Sequence, residues 1–253
     1  MNQVRATDAL RRPVIILVGH SGSGKSEVAI NLALAFGELP RETVLLDLDM
    51  VKPYFRSRLV REELAAAGVE LVIPSGDRLY ADTPVVPPEV MSHLANHEIQ
   101  PRDAAGKVVI ADVGGNDNGA RVVGSLSRIL NPELTDVLFV VNANRPLTAD
   151  VEAMSELVGN MSLAAGLEVT GLISNTHLMD ETTTEIVRSG LDQAKALALE
   201  TGVPLRFICT PELLSSSSTN NEDDGHGFPV LVLRRYILPP HARSRGCGPA
   251  RVL

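Results

Sequence analysis

Val14-Ile15-Ile16-Leu17-Val18-Gly19-His20-Ser21-Gly22-Ser23-Gly24-Lys25-Ser26, running on into Glu27-Val28-Ala29-Ile30-Asn31-Leu32-Ala33-Leu34-Ala35-Phe36, is the stretch that decides how this chain is built. Its first five residues are an unbroken, β-branched apolar run, the pattern of a strand buried on both faces. Glu27 to Phe36 reads as a helix, with Gly37 as its stop. Between them, residues 19–26 fit G-x-x-x-x-G-K-[ST] at every fixed position. This is the phosphate-binding P-loop, in the strand–loop–helix context that the motif requires. Its glycines let the backbone curl so that successive N–H groups face phosphate oxygens. An anion bound there sits on a helix N-terminus, where free N–H groups and the helix dipole favour it. Gly19, Ser21, Gly22, Ser23, Gly24, Lys25, Ser26 and Glu27 are the candidate phosphate-binding residues. Lys25 is placed to reach the β and γ phosphates, and the Ser26 hydroxyl to ligate Mg²⁺.

The chain has 253 residues, 44% hydrophobic and 3% aromatic, with no Trp, so its core is built from Val, Ile, Leu and Ala. That length suits one large α/β domain or two small ones. The net charge of −8 argues against general nucleic-acid binding, which needs a basic surface. The two cysteines, Cys209 and Cys247, form no C-x-x-C, which reads as a reducing compartment without a disulfide framework. Cys209 reads as a small buried hydrophobe at a strand end. The opening MNQVRATDALRR has no apolar signal region, and no stretch is long enough to span a membrane. The expectation is a cytoplasmic protein with no membrane anchor.

Strand and helix patterns alternate along the chain. Strands are expected at Thr43–Leu46, Val69–Ile73, Val108–Ala111, Val137–Asn142, Val169–Ser174, Pro204–Cys209 and Val230–Leu233. Helices are expected over Phe55–Ala67, Glu89–His97, Gly119–Ile129, Thr148–Met161 and Glu181–Thr201. Continuous apolar strands alternating with helices predict an α/β fold, a mostly parallel central sheet with helices on both faces. The domain is expected over residues 13–238, with 1–12 and 239–253 as flexible tails. Pro74–Pro88 and Ser215–Gly225 read as loops.

In an open parallel sheet, ligands bind beyond the carboxyl ends of the strands, and the chemistry-bearing residues cluster there. Asp47 and Asp49 follow one apolar strand and can face a metal and an attacking water together. Asp112 ends another, the Walker B pattern of a Mg²⁺-holding carboxylate. Gly115 follows it, where a backbone N–H can meet a γ-phosphate. Lys52, Arg56, Arg58 and Arg61 read either as a solvated helix face or as a site for an anionic substrate or γ-phosphate switch. Asn175 ends a further strand, where an amide can bond a purine edge. His20 and His177 lie near the same face and share no metal-ligand spacing.

GHSGSGKS at 19–26, LLDLD at 45–49, VVIADVGG at 108–115 and GLISNT at 171–176 together resemble the MinD/ParA-like branch of P-loop NTPases, the group that also holds CobQ/CobB-type synthetases and dethiobiotin synthetase. The resemblance covers roughly residues 13 to 240. DLDMVKPYFRSR at 47–58, VVNANRP at 140–146 and ISNTHLMDETT at 173–183 are similar to a bacterial subfamily of ATP-binding proteins. The resemblance implies ATP and Mg²⁺ as cofactors. It implies Lys25 and Ser26 on the phosphates and metal, Asp49 as the water-activating carboxylate, Asp47 in the metal shell, Asp112 as Walker B, and Asn175 on adenine. It also implies an ATP-sandwiched homodimer. However, His20 stands where that branch carries a signature lysine reaching across the dimer, a departure that weighs against catalysis in trans. No C-x-x-C supports an iron–sulfur role, and HARSRGCGPARVL at 241–253 offers no amphipathic membrane helix.

Two functions follow as expectations. The first is a slow, Mg²⁺-dependent ATPase acting as a nucleotide-driven switch for a protein partner. The second is an ATP-dependent ligase or kinase acting on a small anionic substrate. A DNA-partitioning ATPase is disfavoured by the acidic balance. ATP is favoured over GTP because Asn175-Thr176-His177 lacks the N-K-x-D pattern that reads guanine.

Overall fold

The computed structural model describes residues 5–49, 60–74, 86–94, 106–115, 117–145, 148, 150–215 and 227–237. Its centre is an eight-stranded sheet in the order β3-β2-β4-β1-β5-β6-β7-β8. The strands are β1 (Val14–Val18), β2 (Thr43–Leu48), β3 (Val69–Val72), β4 (Val108–Val113), β5 (Thr135–Val141), β6 (Gly171–Ser174), β7 (Leu205–Pro211) and β8 (Val230–Leu233). Every neighbouring pair is parallel. Parallel strands cannot be joined by tight turns and need crossovers. The helices accompanying them are α2 (Lys25–Gly37), α3 (Arg61–Ala66), α4 (Pro88–Leu94), α5 (Asp117–Leu126), α6 (Val151–Ala165), α7 (Thr184–Thr201) and the single turn α8 (Glu212–Ser215).

The apolar strand runs divide by alternation, because successive side chains leave a strand on opposite faces. Val14, Ile16 and Val18 join one core with Val90, Val122, Leu126, Met154 and Leu197. Ile15 and Leu17 join the other, with Val28, Leu32, Phe36, Leu64 and Phe207. Burying a side chain of this size contributes roughly 1.5–3 kcal/mol, and all five residues of β1 are essentially inaccessible. The most deeply covered strand therefore leads directly into the P-loop. Its neighbours are β4 on one side and β5 on the other, so the residues ending those strands flank the loop.

Element boundaries differ from the sequence expectation by a few residues. The helix expected over 119–129 runs from Asp117 to Leu126, and α7 begins at Thr184 after a 3₁₀ turn at Met179–Glu181. Thr183 starts α7 by accepting from the Ile186 amide, and Gly202 closes it in the left-handed region. The helix expected over 55–67 is described from Arg61 onward. Lys52, Arg56 and Arg58 fall outside the described residues, as do most of the Pro74–Pro88 and Ser215–Gly225 segments and the tail at 239–253.

The N-terminal segment read as a flexible tail is instead packed onto the domain from residue 5. Ala6–Ala9 form a short helix, α1, with Ala6 and Leu10 in the second core. Arg5 makes a bridge to Val230. Arg12 donates to the Thr135 carbonyl at 2.7 Å and lies 3.6 Å from Asp136, a carboxylate also approached by Arg206 at 3.8 Å and bonded by the Thr170 hydroxyl at 3.0 Å. A buried carboxylate is costly unless its charge is met, and the N-terminal arginine helps to meet it. Sequence composition gave no sign of a partner more than a hundred residues away.

Gly190 shows how closely α7 approaches the ligand face. A Cβ at that position would run into the Thr176 side chain just beyond β6. Gly190→Ala should therefore cost about 1–3 kcal/mol through overpacking. The check is the urea midpoint against wild type; an unchanged midpoint would mean that the helix and β6 do not meet so tightly.

Candidate functional site

The P-loop runs from the end of β1 to the first residue of α2. Gly19, Gly22 and Gly24 all have positive φ, at 139°, 81° and 89°, a backbone region that side-chain-bearing residues rarely adopt. Two of them are also closed in. A Cβ on Gly19 would lie 2.7 Å from the Val140 carbonyl oxygen, and one on Gly24 would collide with the Asn175 amide. Lys25 and Ser26 open α2, where the first N–H groups of a helix have no partner inside it. The Lys25 ammonium, largely buried, donates to the carbonyls of Gly19 and His20, each at 3.0 Å. Gly115 abuts the same group: a Cβ there would lie 2.6 Å from Lys25 Nζ and 2.6 Å from the Ser21 nitrogen. Gly115, just after β4, is thus a close-approach position.

The three carboxylates separate into two places. Asp47 and Asp112 are directly paired in the β2–β4 register. Both line a small cavity of about 20 Å³ together with Ser26, its remaining wall being the apolar Ala29, Ile30, Leu45, Val60, Leu64 and Leu71. That is about the room one small sphere needs. A hydroxyl and two carboxylates are hard oxygen donors suited to Mg²⁺, which retains waters and phosphate oxygens in its remaining positions. Asp49 lies elsewhere, on a larger cavity shared with Lys25, Ser26 and Gly115. Its own N–H donates to Asp47 Oδ1 at 3.3 Å. Among the described residues, no group of three or more His, Cys, Asp or Glu could hold a metal ion.

The larger cavity has a volume of about 380 Å³, within the range of small-molecule sites. Its loop end carries Ser21, Gly22, Gly24 and Lys25. His177, Met179, Pro211, Leu233, Arg234 and Ile237 also line it, and His177 stands against the loop itself, where a Cβ on Gly24 would lie 3.1 Å from its Nε2. Burial pushes the Cys209 thiol, which also borders the cavity, well above its ordinary range. Cys209 is accordingly the buried strand residue the sequence suggested and not a thiolate.

Two candidate residues are engaged differently from expectation. Asn175 is buried, and its Nδ2 donates to the Ser23 carbonyl at 2.8 Å. The amide expected to bond a purine edge lines the large cavity and braces the P-loop through its Nδ2. Glu27 turns its carboxylate to the backbone N–H groups of Tyr236 (3.1 Å) and Ile237 (2.7 Å). Asn31, one turn further along α2, accepts from the Arg234 N–H at 2.9 Å and donates to the Arg234 carbonyl at 2.9 Å. The P-loop helix thereby holds the segment after β8 that walls the cavity. Sequence reasoning missed Asn31 and Arg234 because nothing local announces a contact across about two hundred residues.

A family model described as Zeta toxin matches residues 2–71, well under half of the chain. No curated protein matches it. Among solved structures, the signal recognition particle 54 kDa protein from Aeropyrum pernix K1 in complex with GDP is similar at TM-score 0.49 and 19% identity, over 77% of this chain and 40% of that one. The cell division protein FtsY from Thermotoga maritima is similar at TM-score 0.48 and 21% identity, over 78% and 61%. A nucleotide-binding protein from Archaeoglobus fulgidus in complex with ADP is similar at TM-score 0.46 and 16% identity, over 80% and 82%. The chain thus spans about 40% and 61% of the first two. Likeness at this level carries no argument about activity. The P-loop assignment stands on the motif, the all-parallel sheet and the strand–loop–helix geometry of this chain. No described helix is long and apolar enough to cross a membrane.

His177 borders the cavity with its proton affinity much reduced. Burial first, and then the charges of Arg145 and Arg235, lower its pKa to about 4. The folded protein therefore keeps His177 neutral at pH 7. An unfolded chain takes up a proton near pH 6.5, its ordinary value. Stability tied to this residue is thus fully present above that pH and is lost as pH falls towards 4. His177→Gln should flatten the pH dependence of the unfolding free energy between pH 6.5 and 4.5. A variant with the wild-type slope would show that His177 protonates freely in the fold.

Proposed function

We propose that the protein is a Mg²⁺-dependent ATP-binding protein and slow ATPase, whose nucleotide state is read by a protein partner. The observation that carries this reading is the convergence, at the sheet's carboxyl edge, of a P-loop on a helix N-terminus with Ser26, Asp47 and Asp112 around one small cavity. The 380 Å³ cavity alongside is of a size to take a nucleotide. The Zeta toxin match spans the P-loop and the Asp47–Asp49 pair, which agrees with a phosphate-handling role. ATP is the nucleotide proposed because the segment after β6 lacks the residues that read guanine.

In this reading the amides at the start of α2 bind the β-phosphate, and Lys25 leaves its carbonyl partners to meet the β and γ phosphates. Ser26, Asp47 and Asp112 would hold the Mg²⁺, whose charge would offset that of the phosphate oxygens. Asp49 orients the attacking water and takes its proton as the water oxygen bonds to the γ-phosphorus. The bond from that phosphorus to the β–γ bridging oxygen breaks, and ADP leaves with the electron pair. Gly115, against Lys25, is positioned for its backbone to register whether the γ-phosphate is present. A switch of this kind works through segments that reorganise when that phosphate is lost.

The test is phosphate release from Mg·ATP by the purified protein. Wild type should show slow, EDTA-sensitive turnover. Asp49→Ala should retain ATP binding while turnover falls about a hundredfold or more, the scale of losing a general base. Lys25→Ala should weaken binding and abolish turnover. Near-normal turnover in Asp49→Ala would remove that residue from the role, and transfer of phosphate to an added small acid instead of water would replace the switch by a ligase or kinase.

A further inference from the structure

Among the polar side chains buried where β5 and β6 end are Asn142 at 0% exposure, Thr148 at 1% and Thr176 at 4%. Such groups are retained where their hydrogen bonds are made, and here all of them fasten one short loop. Asn142 Oδ1 accepts from the Asn144 N–H at 3.1 Å and the His177 N–H at 3.4 Å. The Thr148 hydroxyl donates to the carbonyl of Asn142, and the Thr148 N–H to that of Arg145 at 2.9 Å. The Ala143 N–H donates to Thr176 Oγ1 at 3.1 Å, and the Arg145 N–H to the Asn142 carbonyl at 3.3 Å. The backbone is thus tied on both sides of Arg145.

The side chain this loop presents lies on the P-loop. Arg145 Nε donates to the Gly22 carbonyl at 3.0 Å. The guanidinium rests against Gly22, where a Cβ would lie 3.3 Å from Nε and 3.4 Å from Cζ. Gly22 occupies a position that the P-loop pattern leaves free, and this contact, with its positive φ, accounts for a glycine there. The peptide between Gly22 and Ser23 is held at both ends, since the Ser23 N–H donates to the His20 carbonyl at 3.2 Å. A planar peptide fixed at both ends cannot rotate, so the turn over residues 20–23 is set before any ligand arrives. Among the described residues, no carboxylate lies within ion-pair distance of Arg145.

We propose that Arg145 is a positioning residue of the anion site: without lining the large cavity itself, it locks the crown of the P-loop and brings a positive charge against Gly22. The ligand it favours is the diphosphate portion of a nucleotide, common to ADP and ATP. Preorganised donors and a fixed positive charge raise anion affinity without a reordering cost. The proposal rests on the nucleotide-binding reading above.

Calorimetric titration with Mg·ADP and Mg·ATP tests it on wild type, Arg145→Ala and Arg145→Lys. Arg145→Ala should weaken both ligands by about tenfold, one charge-assisted contact's worth. Arg145→Lys should recover part of the loss, because it keeps the charge but not the flat guanidinium. The KM for ATP should rise by about the factor lost in affinity, with a smaller fall in kcat. Unchanged affinities would overturn the proposal. A loss confined to ATP would overturn it too, by placing the arginine on the γ-phosphate, and equal losses for Ala and Lys would remove its charge from the account. The His177 ring, which also faces Arg235, gives a readout that needs no nucleotide: in Arg145→Gln its NMR titration midpoint should rise. A risen midpoint with untouched nucleotide affinity would overturn this proposal alone. Wild-type protein that binds neither nucleotide would overturn the nucleotide reading and the proposal with it.

Discussion

The fold depends on one backbone problem, the reversal between β1 and α2 in which a buried strand must reach a helix without its own hydrogen-bond ladder. Backbone N–H groups left unpaired in a protein interior are costly, so such a loop persists only if its surroundings hold it. Each of its left-handed glycines is met by a different neighbour: Gly19 by the Val140 carbonyl of β5, Gly22 by Arg145 and Gly24 by Asn175 beyond β6. Strand order makes this feasible. With β5 next to β1 and β6 next to β5, the segments leaving those strands reach the loop from one side, while Gly115 beyond β4 reaches it from the other.

Much of the site's framework was legible in the chain itself. Buried parallel strands carry continuous apolar runs, so β1, β2 and β4 could be read from composition alone, and the aspartates at their ends followed. That Asp47 and Asp112 stand side by side is a consequence of register, which no local pattern encodes. The roles of Asn175 and Glu27 were not legible for a related reason. An amide or a carboxylate declares what it can bond, not which partner the fold brings to it. Asn175 found a carbonyl 152 residues away, and Glu27 found amides 209 and 210 residues away. The packing of the N-terminal segment was not legible either: Ala6 and Leu10 are buried and Arg12 meets a buried charge.

The two ends of the sheet treat charge in opposite ways. At the amino end, Asp136 is closed off by Arg12, Arg206 and Thr170, an arrangement complete in itself. At the carboxyl end, Lys25 is held against backbone carbonyls, and Asp47, Asp49 and Asp112 border cavities. A carbonyl is a weaker partner for an ammonium than a phosphate is. The one end has the character of a structural clasp; at the other the charged groups border cavities.

The tie from Glu27 and Asn31 to residues 234–237 also bears on how the molecule comes into being. The large cavity is lined both by P-loop residues such as Gly22 and Lys25 and by Leu233, Arg234, Arg235 and Ile237, about two hundred positions later. A ribosome delivers these parts in that order, with almost the whole sheet synthesised between them. A nascent chain can assemble β1, the P-loop and α2 early, but the cavity is closed only when β8 and the residues after it have emerged and docked. Contacts of such long sequence separation form late and slowly.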